Sequence, residues 1–202
     1  MGDTLAHSQA LVWLVNALTY FFRTDQTVLI AMNLIFYYRQ GYPSSRRDPD
    51  VLVARGVGNH VRRSYRLWEE KTMPCTLFEI ASRKTWREDV GPKRRLYARL
   101  NVPEFFIFDP EGRYVDPVLR GFRNVNSRSK EMTPASDGSL ISEQLGLRLK
   151  PEGMMLRLHD LKTGLPILTH AEQADADQRA AETLAAENER LRAELARRGR
   201  RR

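Results

Sequence analysis

The chain is poor in the residues that staple small proteins together or bind soft metals. Its single cysteine, Cys75, cannot close an internal disulfide, so the fold does not depend on an oxidising compartment. Four scattered histidines and one thiol offer no zinc-ligand spacing. Long apolar runs are missing as well. The most apolar early stretch, Leu11 to Phe22, is interrupted by Asn16 and Thr19 and falls short of the roughly 20 residues that a membrane span needs. It has neither a basic leader nor a small-residue cleavage site, which argues against a signal peptide and makes a cytoplasmic protein the expectation. No internal repeat stands out. Ser82 lacks both a nucleophile elbow and a neighbouring histidine, so it reads as a structural hydroxyl. His7 and His60 pair with nothing at ligand spacing and read as surface or capping residues.

What is present suits one packed domain with an appendage: 202 residues, 42% hydrophobic and 29% charged. The net charge is +8, and residues 171–202, with eight Arg against seven Asp and Glu, hold only +1 of it. The remaining +7 belongs to residues 1–170 and is densest in Arg46 to Arg66 and Arg83 to Arg99. Taken alone, such an excess favours a solvated basic surface over a nucleic-acid partner.

Hydrophobic spacing predicts an amphipathic helix over 5–23, with Leu11, Leu14, Val15, Leu18 and Phe22 on one face. Thr27 to Tyr38 is dense in β-branched and aromatic residues and reads as one strand. GYPSSRRDP is loop chemistry leading into a short strand, Asp50-VLVA. Residues 56–74 read as a polar surface excursion, and Thr76 to Ala81 as a strand that is apolar except for Glu79. A helix is expected to start near Pro92, with Asp89 as cap or first-turn acid. It precedes a strand, Glu104-FFIFD, whose unbroken apolar run implies burial on both faces. This is an α/β layout. Residues 113–159 suggest short strands forming a second, smaller antiparallel layer. From about His170 the composition changes to Ala, Glu, Arg and Leu. Ala181, Asn188 and Leu195 at a, with Leu184 and Leu191 at d, give a short heptad seam through which residues 177–197 could pair two copies. A solvated charged helix explains the same segment.

Three residues carry chemistry. Asp50 sits on a loop-to-strand boundary, where a turn former is the ordinary explanation. Glu79 lies inside an apolar strand and must be paired, bind a metal, or sit on an edge. Lys93 shares a helix face with Leu96, Tyr97 and Leu100, near the helix end that disfavours a cation; it either snorkels to solvent or meets an anion. Two carboxylates on neighbouring strands make an oxygen site suited to Mg²⁺ or Mn²⁺. With a lysine beside it, such a site meets the needs of phosphodiester hydrolysis. Arg46, Arg47, Arg83, Lys84 and Arg87 flank it and could hold a nucleic-acid backbone.

Pro49-Asp50-Val51, Phe78-Glu79-Ile80-Ala81-Ser82, Thr85, Asp89, Lys93, Tyr97, Val102-Pro103-Glu104 and Asp109-Pro110, in this order and spacing, resemble the Uma-type endonuclease family. That family is often labelled only as a domain of unknown function. The resemblance spans roughly residues 7–170. It implies a restriction-endonuclease-like, PD-(D/E)xK fold, a mixed sheet flanked by helices, over 1–170, followed by a charged helical tail over 171–202. It implies Asp50, Glu79 and the backbone carbonyl of Ile80 as metal ligands, and cleavage of DNA by a metal-activated water. The general pattern places a lysine two residues after the glutamate. This sequence has Ala81 there, so Lys93 becomes the candidate lysine, reaching in from the helix, with Lys84 second. Relatives also carry an upstream Glu that has no clear counterpart here. Two other readings stay open: a degenerate nuclease fold that binds nucleic acid or a protein without cutting, and a dimeric structural protein whose tail is the functional part.

Overall fold

The computed structural model describes residues 4–199, and the chain divides into two compact units between Ile167 and Leu168. In the first unit, α1 (Leu5–Phe21) starts at Thr4, whose side chain accepts the His7 N–H, satisfying one of the orphan donors of the first turn. Ala10, Leu11, Leu14, Ala17 and Leu18 form its buried stripe. β1 (Val28–Met32) follows and ends at Asn33, which takes a positive φ of 51° and donates its N–H to the Asp50 carbonyl. The expected single strand over 27–38 is therefore two. β2 (Phe36–Tyr37) turns away into a separate three-stranded sheet with β3 (Arg46–Arg47) and β5 (Tyr65–Arg66). Parts of two segments read as loop or surface excursion, 41–49 and 56–74, thus supply strands, and Tyr65 is fully buried. A short α2 (Leu67–Glu70) closes this region.

The main sheet has six strands in the order β1, β4 (Val51–Arg55), β6 (Thr76–Ile80), β7 (Glu104–Phe108), β8 (Leu119–Val125), β9 (Arg128–Glu131). Only β6 and β7 pair in parallel; their neighbours are antiparallel. The crossover between them is a helical run of three parts: α3 (Trp86–Glu88), a π-helical turn (Asp89–Lys93) and α4 (Arg94–Arg99). The helix thus begins at Trp86 rather than near Pro92. Pro92 lies within the run, where a missing N–H and a ring that crowds the preceding turn widen the helix. Period-2 alternation divides the central strands between two cores. Val51, Val53, Phe78, Ile80, Phe106 and Phe108 join α1 on one face. Leu52, Leu77, Phe105 and Ile107 join Tyr97 and Val102 on the other. Glu79, two residues from Leu77, therefore points to the α4 face.

The second, smaller antiparallel layer is β10 (Leu140–Ser142), β11 (Leu147–Glu152) and β12 (Met155–Asp160), whereas β8 and β9 extend the main sheet. Glu104 ties the two sheets together. It is 1% exposed and accepts bonds from the Ser142 hydroxyl and the Glu143 N–H. Asp109 has an equally structural role. Its buried carboxylate accepts four backbone N–H groups, those of Glu111, Gly112, Tyr114 and Val115. Asp109→Ala is expected to strand those donors and to destabilise the protein by about 3 kcal/mol, since each unsatisfied buried donor costs roughly 1–3 kcal/mol and water reaches some of them. Thermal unfolding measures this, and a melting temperature within a degree of wild type would contradict it.

In the second unit, α5 (His170–Gly199) is a single helix. Leu184 and Leu191 are exposed along it, as is Asn188. Ala181 is exposed too, and the fifth seam position, the Leu195 side chain, lies outside the described residues.

Candidate active site

Strand register brings the carboxylates together. Val51 pairs with Phe78, Leu52 with Leu77 and Val53 with Thr76. Continued by one residue, this register sets Asp50 opposite Glu79, and directly opposite residues point to the same face. A distance of 29 residues in sequence becomes a cross-strand neighbour pair. Asp50 Oδ2 accepts the Ile80 N–H at 2.6 Å. In an extended strand the N–H and carbonyl of one residue face the same side, so the Ile80 carbonyl also turns toward the end of β4 where Asp50 sits.

The helical run closes the site from above the sheet. Lys93 Nζ lies 2.8 Å from Glu79 Oε2 and 2.8 Å from Asp89 Oδ1, while the Tyr97 hydroxyl donates to Glu79 Oε1 at 3.0 Å. Lys93 therefore does not snorkel; it is buried and bridges two carboxylates. Because the helix begins at Trp86, Lys93 is well inside it, and no unfavourable first-turn position arises. Asp89 is likewise not a cap: it is fully buried, one turn before Lys93. Lys84, the other candidate lysine, is solvent-exposed. His7, contrary to the expectation of a surface residue, is buried in the first turn of α1 with Nε2 3.8 Å from Asp50 Oδ1. His60 is exposed, and the Ser82 hydroxyl is shared with that of Thr85 at 3.0 Å.

The electrostatics follow from burial. Desolvation pushes the Glu79 carboxyl well above its ordinary value against the pull of Lys93, and Asp50 and Asp89 push it further. Burial also raises Asp50, opposed by the Ile80 N–H, and raises Asp89, opposed by Lys93. Burial works against the Lys93 charge, but Glu79 and Asp89 outweigh it and raise the ammonium above its ordinary value. Tyr97 is raised well above the phenol range by burial and by Glu79. Two carboxylates thus share one ammonium, and a third, Asp50, lies within its electrostatic reach. Asp50 is the most open of the three, its side chain 17% exposed against 2% for Glu79 and none for Asp89.

Among the described residues, no three His, Cys, Asp or Glu side chains converge in metal-ligand geometry. The strand register leaves Asp50 and Glu79 as cross-strand carboxylates beside Ile80. An all-oxygen set with one or two carboxylates, completed by water, is how Mg²⁺ is usually held. The basic residues line up with it along the chain. Arg46 and Arg47 lie on β3, three to four residues before Asp50. Arg83, Lys84 and Arg87 are exposed just after β6. Arg47 Nε lies 3.9 Å from Glu88 on α3, and Arg87 stacks 4.6 Å over the Trp86 ring.

Sequence reasoning singles out Asp50, Glu79 and Lys93 and assigns no site role to three residues that contact them. Asp89 and Tyr97 stand four residues to either side of Lys93, and that spacing on one helical face was the available signal. For His7 no local signal existed.

The family model Uma2, whose description reads "Putative restriction endonuclease", matches residues 1–152. The chain belongs to the Uma2 family. Among solved structures, the chain resembles a crystal structure from Anabaena variabilis ATCC 29413, titled as that of a putative nuclease belonging to DUF820. The match has a TM-score of 0.54 at 11% identity, over 83% of this chain and 82% of that one. It shows a shared fold: a Uma2-type mixed α/β domain of the restriction-endonuclease kind, here followed by a helix. No curated protein matches the chain. Membership of this family supports a nuclease. Among the described residues, no helix is long and apolar enough to cross a membrane.

Proposed function

We propose that the protein is a metal-dependent endonuclease that hydrolyses phosphodiester bonds of DNA. One observation carries this reading: Glu79 and Asp89 share the ammonium of Lys93, and Asp50, a third desolvated carboxylate, stands close enough to raise Glu79 further. Buried like charges of this kind need a compensating cation. Asp50, Glu79 and the Ile80 carbonyl would hold Mg²⁺ or Mn²⁺. When bound, that ion polarises a phosphate oxygen and lowers the pKa of its water.

The chain's own residues account for the rest. The Ile80 N–H fixes Asp50 by one oxygen and leaves the other, beside His7, at the accessible end of β4. Tyr97 and Lys93 grip both oxygens of Glu79 and fix its rotamer. The Lys93 ammonium stays charged and supplies a fixed positive field beside the position where charge grows on the phosphoryl group. Water is the nucleophile, and no covalent intermediate is needed. Arg46, Arg47, Arg83, Lys84 and Arg87 hold the backbone of the strand. Residues 177–197 of the tail, with the exposed Leu184 and Leu191 on one seam, pair two copies.

Calorimetric titration of Mg²⁺ and Mn²⁺ into wild type and the Asp50→Asn, Glu79→Gln double variant tests the reading, with plasmid nicking followed on the same samples. Metal binding that vanishes in the variant, with metal-dependent nicking in wild type, supports it. Absence of metal binding in wild type refutes it and leaves a binding module. Removing Arg46 and Arg47 together should lower the slope of log affinity against log salt by about two, roughly 0.9 for each phosphate that is no longer neutralised. An unchanged slope would remove both from the interface.

A further inference from the structure

We infer that the outer face of the small sheet, whose strand β3 leads into Asp50, is a stacking platform for unpaired nucleotides, so that the substrate includes single-stranded nucleic acid. This deepens the nuclease reading and rests on it for the relation to cleavage.

The register of the sheet divides its six residues into two rows. Phe36 pairs with Arg47 on one side and Tyr65 on the other, while Tyr37 pairs with Arg46 and Arg66. The first row faces inward: Phe36 and Tyr65 are fully buried and meet edge to face at 5.8 Å. They satisfy the hydrophobic needs of the sheet. The second row, Arg46–Tyr37–Arg66, faces outward, where a small polar side chain would serve solubility better. More aromatic surface gathers there. Trp68 meets Tyr37 edge to face at 6.5 Å. Tyr42, half exposed, is carried on a turn whose Gly41 has a φ of 78°, and the Arg39 guanidinium lies 3.6 Å above its ring. Tyr37, Tyr42, Trp68, Arg39 and Arg66 line one open cleft of about 310 Å³. Arg46 reaches the Tyr37 hydroxyl at 3.3 Å, and the only acid paired with these cations in the described residues is Glu69, on Arg66.

Aromatic faces interleaved with guanidinium groups suit bases and phosphates of a single strand: every base offers a π-face, and each phosphate a charge. A duplex hides its base faces and would meet only the arginines. The position fits the site. Arg46 lies four residues before Asp50, a reach of at most about 14 Å of extended chain. With one strand spacing added, Tyr37 at the centre of the platform lies within about 20 Å of Asp50, some six stacked nucleotides at roughly 3.4 Å each.

The test uses full-length wild type, Trp68→Ala, Tyr42→Ala and Trp68→Phe in EDTA. Fluorescence anisotropy would follow a labelled single strand of about 20 nucleotides and the matching duplex at one ionic strength. Each alanine variant should bind the single strand about tenfold more weakly, with duplex affinity changed less than twofold and the Phe variant close to wild type. Equal losses for both probes, unchanged single-strand affinity, or no single-strand binding by wild type would overturn the inference. Cleavage with Mn²⁺ on the same proteins separates it from the nuclease reading. Selective single-strand loss without any wild-type cleavage keeps the platform and rejects the nuclease. Wild-type cleavage with indifferent platform variants does the reverse.

Discussion

Asp50→Asn and Glu79→Gln are each expected to lower metal-dependent plasmid cleavage by on the order of 10³-fold, about 4 kcal/mol of barrier, while DNA binding in EDTA stays within twofold or tightens. Both substitutions keep shape and remove charge. An asparagine in place of Asp50 could still accept the Ile80 N–H, and a glutamine in place of Glu79 could still accept from Tyr97, so the β4–β6 junction has no reason to move. What disappears is half of the anionic oxygen set on which a hard divalent cation depends. Binding survives because the phosphate contacts come from other elements, and removing negative charge from beneath the substrate favours a polyanion. The checks are a nicking time course, calorimetry with Mn²⁺, and anisotropy on one oligonucleotide. Cleavage by either variant within tenfold of wild type would remove that residue from the metal site. Equal loss of cleavage and binding would instead indicate a fold defect.

The legible parts of this protein were those set by local pattern. The buried strand Glu104–Phe108 showed as an unbroken apolar run, and Thr76–Ile80 as an apolar strand with one acid in it. The β6–β7 crossover helix was visible too, but its start was misplaced. Proline at 92 has the signature of a first helical position, and only the fold shows that a π turn absorbs it. The small sheet was invisible for a different reason. Two-residue strands such as Arg46–Arg47 and Tyr65–Arg66 have no periodicity to read, and their pairing is decided by the turn at Asn33 that sends the chain out of the main sheet. The same limit hid His7, which meets Asp50 only because α1 crosses the end of β4, 43 residues away in sequence. Lys93 was found for a partly wrong reason. Its position in a supposed first turn suggested an anion nearby; the anions are real, but the strain is burial rather than the helix dipole.

That correction determines what Lys93→Met should do. Methionine keeps the length and the apolar stem and removes the ammonium, leaving Glu79, 2% exposed, and Asp89, fully buried, without their cation. Breaking a buried pair by removing one partner costs about 3 kcal/mol, or roughly 6–12 °C in melting temperature for a chain of this size. The sign with pH can be worked out. In wild type the Lys93 value is raised above its ordinary 10.5, so its stabilising contribution is complete below that value and constant between pH 5 and 8. Glu79 and Asp89 are already raised above their ordinary 4.5 and 3.8, and loss of the ammonium raises them further. The folded variant then holds protons that the unfolded chain releases, so its stability falls as pH rises above about 4. The melting-temperature gap between variant and wild type should be small at pH 5, where protonation neutralises the orphaned carboxylates, and wide at pH 8. Mn²⁺ should narrow it at pH 8, because a divalent ion replaces the missing charge. Turnover should not recover with stability, since the bound ion does not restore the ammonium's field beside the phosphoryl group. A gap that stays flat from pH 5 to 8 would mean that losing the ammonium leaves the protonation of the buried acids unchanged, and Lys93 would then not be the cation that compensates them.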